Sequence, residues 1–134
     1  MKIKIKPSIL NGKIEIPPSK SYSHRAVIAA ALAEGEKKSK IDNLKFSVDI
    51  TTTTDIMENW GAEIERFENA LEIIGNGGKV VPKDKYVQCN ESGSTIRFLI
   101  PIGITDENEL IFDGKGKLVD RPLDSYYRIF DKQG

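Results

Sequence analysis

The sequence predicts a mixed α/β fold of the α+β kind, and three observations carry that reading. Residues 2–16 alternate polar and apolar with the period of two that a strand shows. Residues 20–34, KSYSHRAVIAAALAE, are apolar nearly all round, the pattern of a buried helix. The order of predicted elements then begins a second time, at a spacing of about 72 residues. With 134 residues, 39% of them hydrophobic and 30% charged, the chain is long enough for one core and has the composition of an ordinary globular domain.

Taken in order, KIKIKPSILNGKIEIPPS alternates on both sides of Asn11-Gly12, a dipeptide suited to a tight hairpin turn, so residues 1–16 are predicted to be a β-hairpin. Pro17 and Pro18 stop its second strand, Ser19 stands at the N-cap position, and a helix runs from about 20 to 34 with Gly35 as its stop. A short strand is predicted near SKIDNL (39–44). A helix over 49–60 follows, with Asp49 as N-cap and Gly61 after it. AEIERFENALEIIGNG then reads as two strands meeting in a turn at Glu68-Asn69, and GNGGK (75–79) as a turn. In TTTT (51–54) the threonines are predicted to line a flank of their helix as structural residues.

The second copy is weak in letters and good in pattern. Ser23-His24-Arg25 falls near Thr95-Ile96-Arg97, Ile41-Asp42-Asn43 near Phe112-Asp113-Gly114, and ITTTTDIMENWG over LDSYYRIFDKQG without a gap. The predicted organisation is thus the hairpin at 1–16, a first repeat over about 17–78 and an incomplete second repeat over about 79–134. The second copy reaches its helix-ending Gly134 before any strands that would bury Leu123, Ile129 and Phe130, so an N-terminal piece of a longer protein is expected.

Composition narrows the function. Lys plus Arg equals Asp plus Glu at 20 each, so no net basic field steers the chain to nucleic acid. No apolar run is long enough for a bilayer, so no membrane partner is expected. The single Cys89 excludes an internal disulfide and a cysteine metal cluster, reads as a buried apolar residue, and suits a reducing cytoplasm. His24, the only histidine, lacks a second His, a paired carboxylate or a cysteine nearby, and reads as a surface or packing residue.

What remains is a repeated composition at helix starts, where unpaired N–H groups and the macrodipole favour anions. SKSYSHR puts Ser19, Lys20 and Ser21 in a first turn, with Arg25 one turn on along the face of Ser21. NESGSTIR puts Gly93, where a ligand could meet bare backbone, ahead of Ser94 and Arg97. VDRPLDS puts Arg121 before Pro122, a residue suited to the first helical position. Stacked repeats would converge these mouths into a site for more than one negatively charged group. The residues alone leave open a small phosphoanion-binding module without catalysis.

PPSKSYSHRAVIAAALAEG, NESGSTIRFLIP and DRPLD together resemble the signatures of the enolpyruvyl transferase family, along the whole chain. Lys20-Ser21 favours its shikimate branch over the UDP-N-acetylglucosamine branch, which typically carries Lys-Asn and stays as the alternative. The resemblance implies repeated βαβαββ units of an inside-out barrel, one unit and part of a second lying here, with residues 1–16 pairing to a C-terminal domain. It implies transfer of the enolpyruvyl group of phosphoenolpyruvate to the 5-hydroxyl of shikimate 3-phosphate, with no metal or organic cofactor. By the same resemblance Lys20 contacts both substrates and is catalytic, Ser21 and Arg25 hold shikimate 3-phosphate, and Gly93 and Arg121 hold phosphoenolpyruvate. Ser94 and Arg97 support them, and Asp49 matches an acidic residue near the active site. Glu91 stands where the family usually has Asn, so its carboxylate must be held away from the anions or paired with Arg97 or Arg121. The family's acidic general acid and base lie in its C-terminal half, so a chain of this length is expected to turn over little or nothing. Its partners are the two substrates and the rest of the enzyme, and the exposed N-terminal strands invite self-association.

Overall fold

The computed structural model describes residues 2–9, 11–105, 107 and 109–133. The elements, in order, are α1 (Lys20–Leu32), β1 (Ser39–Ile41), α2 (Val48–Asn59), β2 (Glu63–Arg66), β3 (Leu71–Ile74), β4 (Tyr86–Gln88), α3 (Gly93–Gly103), β5 (Ile111–Asp113), a 3-10 turn at Gly116–Leu118, and α4 (Asp124–Gln133). β1, β3 and β2 form an antiparallel sheet in that spatial order, and β4 pairs in parallel with β5 across α3.

β1 and β5 occupy equivalent places about 72 residues apart, each between an apolar helix and a second helix. From α1 to β3 the order is helix, strand, helix, strand, strand, and from β4 to α4 it is strand, helix, strand, 3-10 turn, helix.

Leu71 and Ile73 of β3 are fully buried on the face that meets the helices, while Glu72 between them points away, the alternation expected of a half-buried strand. Val27 and Ala31 of α1, Met57 and Trp60 of α2, Val87 and Cys89, and Leu99 of α3 complete one core. Burial pushes the Cys89 thiol up to about 12, with the Asp113 carboxylate adding to the effect.

Several predicted boundaries hold and several move. Ser19 caps α1, Phe67 N–H closes on the Ala70 carbonyl at 3.0 Å around the turn at 68–69, and Gly61, at φ +104, takes the left-handed conformation after the Trp60 C-cap. The cap of α2 is Ser47, whose hydroxyl accepts from Ile50 N–H, so Asp49 lies inside the first turn instead of capping it. α1 stops at Leu32, short of Gly35. The β3–β4 loop donates Asn76 and Gly77 N–H to the Ala31 and Ala33 carbonyls at 2.8 and 2.9 Å, satisfying that end from outside. α4 begins at Asp124, so Pro122 is not its first residue; Gly134, its expected stop, lies outside the described residues.

The predicted N-terminal hairpin is absent: residues 2–9 and 11–16 hold no strand, and Ile3, Ile5, Ile9, Ile14 and Ile16 are all exposed. A two-stranded ribbon without a third strand or a packed face is marginal in water, and among the described residues none packs on this segment's isoleucines closely enough to bury them. Among the described residues, no helix is long and apolar enough to cross a membrane.

Candidate active site

Ser19 accepts Tyr22 N–H at 3.5 Å, which starts α1 and places Lys20, Ser21 and Arg25 at its open end. Arg25 lies one turn beyond Ser21, and its Nη1 donates to the Ser21 carbonyl at 2.9 Å and to the Ser21 hydroxyl. Its guanidinium also sits 4.8 Å from the centre of the Phe98 ring, a cation–π contact that reaches from α1 to α3. Lys20 forms an ion pair with Asp49 in the first turn of α2, and the Asp49 carboxylate is the more enclosed partner. Asp49 therefore orients the lysine.

At the start of α3, Ser92 is buried and accepts Thr95 N–H at 3.3 Å, leaving Gly93 as the first helical residue. A methyl group on Gly93 would run into Arg121 Nη1 and lie 3.0 Å from Arg97 Nη1, so two guanidiniums approach bare backbone at a helix N-terminus. Arg97 is fixed by donating to the Gly93 carbonyl at 3.2 Å and the Pro122 carbonyl at 3.3 Å, and Tyr126 Oη donates to the Arg97 carbonyl at 2.8 Å. Arg121 belongs to the segment ahead of α4 and reaches Gly93 from there. Among the described residues neither guanidinium pairs with a carboxylate. Two like charges held against the positive end of a dipole form a place prepared for an anion.

Glu91 does not fill that place. Its carboxylate lies over Gly116, where φ is +53 and an added side chain would meet it, so of the two expected arrangements the structure has the one in which it is held away. Asp49, Asn90, Glu91, Lys115 and Val48 line one open pocket of about 400 Å³ beside the α2 start. Ser94 is exposed in the first turn of α3.

Three parts of the site escaped the sequence reading. Phe98 looked like one more apolar position of α3. His24 is fully buried, its Nδ1 2.8 Å from Thr53 Oγ1, and burial lowers its pKa, with Lys20 and Arg25 adding to that and Asp49 opposing it. Thr53 in turn is 2.8 Å from Thr95 Oγ1, which donates to Ser92 Oγ at 2.6 Å. The threonine run carried a hint, since Thr52, Thr53 and Thr54 are all buried. Nothing local, however, could pair residues 29 and 42 positions apart.

The sequence profile of the family described as EPSP synthase (3-phosphoshikimate 1-carboxyvinyltransferase) matches residues 5–134. Among curated relatives, the 3-phosphoshikimate 1-carboxyvinyltransferase of Clostridium novyi (strain NT) is 50% identical over 141 residues, covering 98% of this chain and 32% of the relative. That of Clostridium acetobutylicum is 50% identical over 135 residues, covering 98% and 31%. The chain thus spans about a third of the length of the relatives it matches. Of solved structures, an EPSP synthase of Acinetobacter baumannii superposes with a TM-score of 0.80 at 24% identity, over 92% of this chain and 28% of that one, which establishes the fold. A second structure of EPSP synthase from Acinetobacter baumannii gives a TM-score of 0.77. With a profile match over residues 5–134, which takes in every element from α1 to α4, the chain belongs to the EPSP synthase family.

Proposed function

We propose that this chain supplies substrate-binding residues to an enzyme that transfers the enolpyruvyl group from phosphoenolpyruvate to the 5-hydroxyl of shikimate 3-phosphate, in aromatic amino-acid biosynthesis. The observation that carries the reading is the pair of guanidiniums over Gly93, without a carboxylate partner among the described residues, next to a second cationic helix start at Lys20 and Arg25. Two phosphorylated substrates repel one another, and two adjoining cationic places offset that repulsion while holding the reacting atoms together.

In this reading Arg25 and Ser21 take shikimate 3-phosphate, and Arg121 grips the phosphoenolpyruvate phosphate in the two-pronged manner of a guanidinium, with Gly93 N–H beside it. Arg97 and Ser94 support that grip. The 5-hydroxyl loses its proton to the base assigned to the rest of the enzyme as its oxygen attacks C2 of phosphoenolpyruvate, and C3 gains a proton, giving a tetrahedral intermediate. Loss of phosphate and of a C3 proton then restores the double bond. Lys20, oriented by Asp49, contacts both substrates and serves as proton donor or relay. The matched relatives and Ser21 next to Lys20 favour this branch over the UDP-N-acetylglucosamine one. The exposed N-terminal segment is assigned to pairing with the rest of a longer enzyme, and the reaction to the cytoplasm.

The test is an NMR titration of the isotope-labelled chain with shikimate 3-phosphate, inorganic phosphate and UDP-N-acetylglucosamine. Saturable shifts at Lys20, Ser21 and Arg25 with shikimate 3-phosphate alone are expected. Equal response to phosphate would replace the proposal with a generic anion module, and response to the UDP-sugar would move it to the sister branch. Phosphate release from both substrates by the purified chain should be near background, since the acid and base are assigned to another part of the enzyme.

A further inference from the structure

The buried chain of side chains beneath the two cationic helix starts has a direction that can be worked out from hydrogen counts. Thr95 Oγ1 donates its single hydrogen to Ser92 Oγ at 2.6 Å, so toward Thr53 it can only accept. Thr53 also has one hydroxyl hydrogen and three neighbours: the Asp49 carbonyl at 3.2 Å, Thr95 Oγ1 at 2.8 Å and His24 Nδ1 at 2.8 Å. The carbonyl has no hydrogen to give, and that of Thr95 is already committed. If the imidazole brings its own hydrogen at Nδ1, that of Thr53 is free for Thr95 Oγ1 and each side-chain contact of the chain is served; if Nδ1 accepts instead, the contact between Thr53 and Thr95 is left without a hydrogen.

The orphan atom agrees. His24 Nε2 is buried and meets no partner, and as a lone pair it is a lesser defect than a buried N–H without an acceptor would be. A doubly protonated ring is disfavoured by burial and by Lys20 and Arg25, with Asp49 the only opposing charge. The tilted Phe98 ring, 6.5 Å away centre to centre, closes the remaining side and is the ring on which Arg25 rests.

We propose that His24 is a positioning residue: as the neutral Nδ1–H tautomer it heads a hydrogen-bond chain through Thr53 and Thr95 to Ser92. That chain fixes the α3 anion place relative to the α1 one. The positioning of a phosphoenolpyruvate site rests on the function proposed above, whereas the tautomer and the coupling of the two helix starts do not. His24 touches no substrate; it acts on the cap of α3 from a helix more than sixty residues earlier. The chemistry of the ring matters only through which nitrogen carries the hydrogen.

The experiment uses the whole 134-residue chain and needs no ligand for its main arm. Nitrogen-15 NMR of the ring should show protonated Nδ1 and bare Nε2 between pH 6 and 8; protonated Nε2 would overturn the proposal. His24→Asn, whose side-chain amide can place an N–H where Nδ1–H stands, should keep the Gly93, Ser94 and Thr95 amide shifts and their exchange rates. His24→Leu and Thr53→Val should shift those amides and speed their exchange about tenfold, the factor carried by one lost hydrogen bond. Thr53→Ser should restore them, which keeps the test usable if His24→Leu fails to fold. Unchanged α3 amides in Thr53→Val, or equal damage from His24→Asn and His24→Leu, would refute the coupling. A second arm titrates phosphate into each variant: weaker binding in Thr53→Val with Thr53→Ser intact extends the coupling to the anion. Absence of binding in every variant would count against the function proposal and leave the ligand-free result standing.

Discussion

Arg25 is held by three contacts, none of them a carboxylate: the Ser21 carbonyl, the Ser21 hydroxyl and the Phe98 ring. A guanidinium oriented in this way keeps its charge for a ligand, where an ion pair would have spent it. On the function proposed above, Phe98→Leu should keep the fold and weaken shikimate 3-phosphate binding by about 0.5–1 kcal/mol, the scale of an exposed cation–π contact, as measured by titration. Loss of no affinity would mean that Ser21 alone sets the orientation. His24 makes a second prediction. Its folded pKa is lowered below the ordinary 6.5, so the unfolded chain binds the extra proton first, and stability falls as pH drops below about 6.5. Melting curves between pH 7.5 and 5 should show a larger loss in the wild-type chain than in His24→Asn, which has no ring to protonate. At this scale Lys20, Ser21, Arg25 and Gly93 were singled out by short motifs at helix starts, while Asp49, Phe98 and Arg121 reach them from other elements. The sequence did not show His24, Thr53 and Thr95 as a set, because their contacts are made by packing three helices together.

Elements were legible where their signals were local and self-sufficient. The caps at Ser19 and Gly61, the turn at 68–69 and the apolar run of α1 each specify their own geometry, and each is found. The N-terminal hairpin was overread because alternation specifies a strand's faces without supplying the surface that buries one. The end of α1 moved inward because its terminal carbonyls are capped by a loop more than forty residues on, a tertiary substitute for the glycine stop. That loop makes a close approach: a methyl on Gly75 would meet backbone atoms of α1, at 2.8 Å from both the Ala30 oxygen and the Ala33 nitrogen. Backbone cannot yield as a side-chain tip can, so Gly75→Ala should destabilise the chain by about 1–3 kcal/mol in a denaturant melt. Gly77→Ala, with open space around it, should cost only the strain of its positive φ.

Across the whole molecule, the core draws on α1, α2, α3, β3 and β4, while the first sixteen residues and α4 contribute little to it: α4 has no buried residue. Deleting residues 1–16 should leave the thermal midpoint almost unchanged, and a large drop would show that the segment packs on the core in solution. Cys89 gives an independent readout of that core. With its thiol fully buried and pushed up to about 12, alkylation at pH 8 should proceed only through opening of the chain, so its rate should track denaturant stability in every variant above.

The close approach at Gly75 bears on more than stability. α1 is a rod of thirteen residues, about 20 Å long, with Lys20 and Arg25 toward one end and its contact with Gly75 near the other. Such a rod is a lever whose fulcrum sits far from Lys20 at its other end. A tilt of about 5° forced at the glycine would swing the opposite tip by roughly 1.7 Å, and displacements of about 1 Å in reacting groups already carry rate penalties near a hundredfold. A small residue with no chemistry of its own thus sets the aim of the cations at the other end of the helix.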